Sequence, residues 1–177
     1  MRVGLGRALA AGAVGAAAVT LANEVGRRTL AEAPRLDLLG TRAVSKLTSP
    51  GGVRRFVPGQ RKELWRTALA GDLAANALLY AFVAPGRSPR PVARGLFLGT
   101  LAGVGAVLLA PKLGLGHRPS NATVETALLT VAWYAIGGVA AGVAARALAT
   151  RVDQTAPAGP AGAVTGEYPW PPAQRTS

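Results

Sequence analysis

Few residues in this chain have the type and spacing to do chemistry. Ala68, Asp72, Asn76 and Tyr80 recur at every fourth position, so on a helix they share one stripe. An acid, an amide and a phenol in one line suit a proton, a cation or a cationic substrate. The structural alternative pairs Asp72 with an arginine near a helix end, such as Arg7 or Arg146, and leaves Asn76 to bond a neighbouring backbone. Thr126, Thr130, Tyr134 and Gly138 form a second, milder stripe.

Other chemistry finds little footing. There is no cysteine, which excludes thiolate metal sites, disulfides and cysteine nucleophiles, and there is one histidine, His117. No GxSxG elbow or HExxH helix is present, and the pairs Gly4-x-Gly6 and Gly114-x-Gly116 lack the preceding strand of a phosphate-binding loop. Neither enzymatic activity nor a cofactor is expected. The triplet Asn121-Ala122-Thr123 is a glycosylation sequon only in a compartment that glycosylates.

The stripe has to be positioned by apolar elements. The chain has 177 residues, 50% of them hydrophobic and 16% charged, yet its net charge is +12. A soluble domain carries about 25% charged residues. Sparse charge with a large basic excess describes apolar stretches in lipid and arginines crowded at their ends. The same excess is poor support for nucleic-acid binding, because the arginines flank apolar runs instead of forming a soluble basic face.

Four runs, about 4–22, 67–84, 92–110 and 122–145, have the length at which a helix crosses roughly 30 Å of hydrocarbon. The expected fold is all-α: a bundle of four transmembrane helices over residues 1–150, followed by a disordered Pro/Gly-rich tail over 151–177. Pro85-Gly86 and Pro111 end the second and third helices, and Asn121 is placed to cap the fourth with Glu125 in its first turn. The first run contains Arg7, and its start, Met1 to Arg7, a short basic stretch before an apolar run, also has the outline of a signal peptide, although an uncleaved anchor is the reading preferred. The tail segment Pro169-Trp170-Pro171-Pro172 fits a PxxP pattern, which short sequences produce by chance.

The second run is the marginal one. Starting near Thr67, Asp72 lies roughly 8 Å and Asn76 roughly 14 Å along the span. A central Asp opposes insertion by about 2.5–3.5 kcal/mol, while Leu69, Leu73, Leu78, Leu79, Phe82 and Val83 together favour it by about 3 kcal/mol. The stripe therefore needs other helices, water or a cation beside it.

Residues 34–48 read as a basic amphipathic helix in the first loop. Leu36, Leu39, Ala43, Val44 and Leu47 lie on one face, with Arg35, Arg42 and Lys46 on others. Arg27, Arg28, Arg35, Arg42 and Lys46 are placed for contact with anionic lipid headgroups, the expected partners of this protein. The loops 23–66 and 111–121 hold twelve Lys and Arg, against eight on the other side. That bias places these loops in the cytoplasm and both termini outside.

Packing between helices is expected from small residues, because lipid tails are as apolar as leucine and burial of oil cannot join helices in a membrane. Gly95, Gly99 and Gly103 form one glycine face, Gly138 and Gly142 a second, and Ala8, Gly12 and Ala16 a third. Such faces join helices of one chain or of two, so a homo-oligomer stays open. Trp133 and Tyr134 fall mid-helix and are read as packing residues.

The segments Asn23-Glu24-x-x-Arg27-Arg28, Ala33-Pro34-Arg35-x-Asp37-x-Leu39-Gly40-x-Arg42 and Ala70-Gly71-Asp72-Leu73-x-x-Asn76 resemble small bacterial membrane proteins of unassigned function, over roughly residues 20–80. The resemblance implies a multi-pass protein of a bacterial inner membrane and carries no activity. Abundant Ala, Gly and Arg fit a GC-rich genome. Two functions stand open: a non-catalytic packing, lipid-contacting or assembly component, and an oligomeric small transporter or channel for a proton or cation using Asp72 and Asn76.

Overall fold

The computed structural model describes residues 2–48, 60–84 and 89–155. They form six helices: α1 (Arg2–Thr29), α2 (Leu36–Thr48), α3 (Gln60–Ala81), α4 (Pro91–Lys112), α5 (Arg118–Asn121) and α6 (Val124–Thr155). Among the described residues there is no strand. Segments 49–59, 85–88 and 156–177 lie outside the described residues, and with them most of the expected tail and its PxxP pattern. The expected tail begins at residue 151, but α6 continues through Thr155.

Three helices are long and apolar enough to cross a membrane: Gly4–Thr29, Pro91–Lys112 and Val124–Thr150. The second expected run is different. Its helix starts about two turns earlier, at Gln60, and loosens after Ala81 into i→i−3 bonds from Phe82, Val83 and Ala84. Arg61, Lys62, Glu63, Arg66 and Asp72 dilute its apolar character. α1 also outruns its apolar stretch. Its 28 residues span about 42 Å at 1.5 Å per residue, more than the thickness of a hydrocarbon layer of about 30 Å. Glu24 supports those turns by pairing with Arg27 and Arg28 three and four residues on, at 2.6 Å each.

The long helices pack side by side in the order α3, α1, α6, α4. Glycines set the spacing. A Cβ on Gly95 would strike the Gly138 carbonyl, one on Gly99 the Tyr134 carbonyl, and one on Gly103 the backbone of Val131. On α6, a Cβ on Gly142 would strike Val92. The glycines of α4 and α6 thus lie against each other within one chain. α1 uses small residues on two sides: Gly12 against Ala77 and Ala81 of α3, and Gly15 against Gly137 and Ala141 of α6. Large apolar side chains point away from these contacts. Phe82 and Phe97 are each 66% exposed, and only 17% of the α4 span is buried.

α2 lies at the end of the bundle where α1 finishes and α3 begins, packed on α3 and α5. α4 ends in a Schellman motif: Leu115 N donates to Ala110 O and Gly114 N to Pro111 O, with Gly114 at φ 70°. The start of α6 corrects one expectation. Thr123 caps it, its Oγ1 accepting from Thr126 N at 3.1 Å, while Asn121 is the last residue of α5.

Candidate functional site

Ala68, Asn76 and Tyr80 are all buried and Asp72 is half-buried, so the stripe on α3 faces the protein. Its members do different things. The Tyr80 hydroxyl donates to the Tyr134 carbonyl of α6 at 2.7 Å. Asn76 Nδ2 donates to Asp72 Oδ1 at 3.1 Å and to the Asp72 carbonyl at 3.0 Å, so its bonds stay on its own helix. Asp72 forms no ion pair among the described residues, with Arg7, Arg146 or any other cation. The milder stripe on α6 is consumed internally: Thr130 Oγ1 donates to the carbonyls of Thr126 and Ser120 at 2.8 and 3.0 Å.

Asp72 lies near the middle of α3, with α2 packed beside it. α2 runs beside the first half of α3, and an added Cβ on Gly40 would lie 3.8 Å from the Asp72 Cβ and 3.6 Å from the Ala68 carbonyl. Between α1, α2 and this part of α3 is a cavity of about 310 Å³. Val19, Leu36, Ala68 and Leu69 line its walls, together with Trp65, which is 52% exposed. Its polar lining includes Asn23, Glu24, Arg27, Asp37, Asp72 and Asn76. On the far side of Asn76, α1 and α3 come into backbone contact at Gly12 and Ala77, and the lining ends there.

Three of the chain's eight acids thus line one cavity, in a protein with twenty Lys and Arg. Two are already neutralised: Glu24 by Arg27 and Arg28, and Asp37 by Arg35 at 3.2 Å. Asp72 is the remaining carboxylate. Asn23 is 8% exposed, and its Oδ1 has no hydrogen-bond partner among the described residues. Sequence reasoning found Asp72 and Asn76 but not Asn23, Glu24 or Asp37, because helical periodicity shows which residues share a face and not which faces meet. Among the described residues no group of three His, Asp or Glu could hold a metal ion.

The basic residues expected to meet lipid headgroups gather around this end. Arg42 Nη1 donates to the Leu115 carbonyl at 2.6 Å and Lys46 Nζ to the Leu113 carbonyl at 2.5 Å, so α2 supplies cations to the negative end of α4. Arg35 donates its backbone N–H to the Pro119 carbonyl at 2.7 Å, and Thr123 Oγ1 donates to Glu32 at 3.1 Å. Arg27 and Arg28 pair with Glu24 and remain exposed.

The chain matches no family model, no curated protein and no solved structure.

Proposed function

We propose that the protein is a multi-pass integral membrane protein of a bacterial inner membrane, non-catalytic, acting through helix packing and contact with anionic lipid. One observation carries this reading: the long helices meet through glycine and alanine while their Leu, Phe and Val side chains point outward. A water-soluble bundle does the reverse, since it gains stability by burying its large apolar side chains.

In this reading α3 is a fourth span, sheltered by α1 along its length and by α2 at its polar start. Its Leu78 and the Phe82 that follows it are exposed, as a lipid-facing side requires. The end bearing α2, α5, Arg27, Arg28, Arg35, Arg42 and Lys46 faces the cytoplasm, which puts both termini outside. α2 lies at headgroup depth, where its remaining N–H donors and those of Arg27 and Arg28 meet phosphates. Any homo-oligomer must use outward surfaces, because the glycine faces of α4 and α6 are spent inside the chain.

The test is fractionation followed by lipid analysis. The full chain is expected to stay with membranes through an alkaline wash. Purified in mild detergent, it is expected to retain phosphatidylglycerol or cardiolipin in preference to zwitterionic lipid, and the combined Arg27→Ala, Arg28→Ala and Arg35→Ala variant is expected to lose that preference. Recovery in the supernatant without detergent contradicts the proposal.

A further inference from the structure

We propose that the cavity between α1, α2 and α3 is a binding site for a small amphiphile carrying one organic ammonium group, with the ammonium on Asp72 and the apolar body along Val19, Leu36 and Leu69. It rests on the membrane reading only for the depth at which the mouth opens.

Three observations select this ligand class. The first is charge. Glu24 and Asp37 have arginine partners, Arg27 is held by Glu24, and Asp72 alone lacks a counter-charge among the described residues, so the site takes a single positive charge. The second is the lining. At about 310 Å³ the cavity lies at the small end of ligand-sized pockets, with apolar walls and a few convergent polar groups. Trp65 also lines it, and an indole ring attracts ammonium groups. The third is Asn23. It lines the cavity, is more than nine-tenths buried, and carries an Oδ1 with no partner among the described residues. Buried amides are normally hydrogen-bonded, and an orphan in a cavity wall is a group prepared for a ligand. A metal ion fits poorly, because among the described residues no three His, Asp or Glu side chains gather to hold one. The lining ends at Asn76, beyond which Gly12 of α1 packs on the Ala77 backbone of α3.

The test titrates the full-length protein in neutral detergent with hexylammonium, whose N–H groups can reach both Asp72 and Asn23 Oδ1, below any micelle-forming concentration, and follows heat release and Trp65 fluorescence against a Trp65→Phe blank. Saturable binding is expected, at least tenfold weaker in Asp72→Asn and in Asn23→Leu, and at least tenfold weaker for uncharged hexan-1-ol. Asn23→Leu serves as the second variant should Asp72→Asn fail to fold, because it removes an unpartnered amide and keeps the volume. Glu125→Gln, on the exposed first turn of α6, is expected to bind like the unaltered chain. In phosphatidylglycerol nanodiscs, displacement of the probe by phosphatidylethanolamine assigns the ammonium to a lipid headgroup, and its absence assigns it to a free amphiphile. Either result keeps the site. No saturable binding, equal binding of the uncharged analogue, or unchanged affinity in folded variants overturns the proposal. Bilayer residence is read separately by the alkaline wash.

Discussion

The Tyr80 hydroxyl of α3 reaches past α1 to donate to the Tyr134 carbonyl of α6 at 2.7 Å, and Tyr80 is fully buried. The same carbonyl faces Gly99 of α4, where an added Cβ would strike it. One backbone oxygen thus marks where three helices converge. A side chain rooted in the most polar long helix ties that helix to the most apolar pair.

Tyr80→Phe should therefore lower stability by about 1 kcal/mol, the usual size of one side-chain hydrogen bond between membrane helices. Unfolding measured in bicelles checks this. Membrane insertion should be unaffected, because the ring stays in place and the lost hydroxyl is polar.

Gly99→Leu should cost at least about 2 kcal/mol, because the side chain has only the α6 backbone to displace. Gly71→Ala is the control. An added Cβ there meets nothing within 4 Å, and helix propensity favours alanine by about 1 kcal/mol. If both variants unfold alike, α4 does not pack on α6 through Gly99.

Removing the positive ends of α2 should loosen one loop and little else. In the Arg42→Ala, Lys46→Ala double variant, residues 113–117 should exchange their amide hydrogens faster, while α4 and α6 keep their protection. Both bonds are exposed, so high salt should reproduce part of the effect.

Asp72→Leu should make α3 insert more readily. An aspartate near a span's centre opposes insertion by about 2.5–3.5 kcal/mol and a leucine favours it by about 0.5 kcal/mol. An insertion assay on residues 60–84 should show a rise well above half-inserted. A smaller rise would contradict a central position for Asp72 in the span.

The helices of this protein are legible in the sequence where length and apolar content alone decide. Runs 4–22 and 92–110 fall within long helices, run 122–145 all but its first two residues, and α2 lies where Leu36, Leu39 and Ala43 repeat. The boundaries are less legible. α1 runs on to Thr29 because Glu24 pairs with Arg27 and Arg28, so polar residues can extend a helix beyond its apolar stretch. Asn121 and Thr123 are both good caps, and only the fold shows which one faces the free N–H groups of α6. Gly114, in sequence half of a glycine pair without a strand, is the left-handed residue ending α4.

The site is the least legible part. Asp72 and Asn76 announce themselves by being polar among leucines. Asn23, Glu24 and Asp37 look like ordinary loop or helix-end residues until α2 folds back on α3. Gly26 shows the same limit: a Cβ there would meet the ring of Trp133, a contact that spans most of the chain.

The most direct test of the account is single-cysteine labelling in intact cells, which is clean because the native chain has no thiol. Pro89→Cys and Leu113→Cys sit in exposed positions at opposite ends of α4. An impermeant maleimide should label Pro89→Cys from outside and reach Leu113→Cys only after the membrane is opened. Labelling of both from one side would contradict a bilayer-crossing α4, and with it the reading of this protein as a membrane bundle.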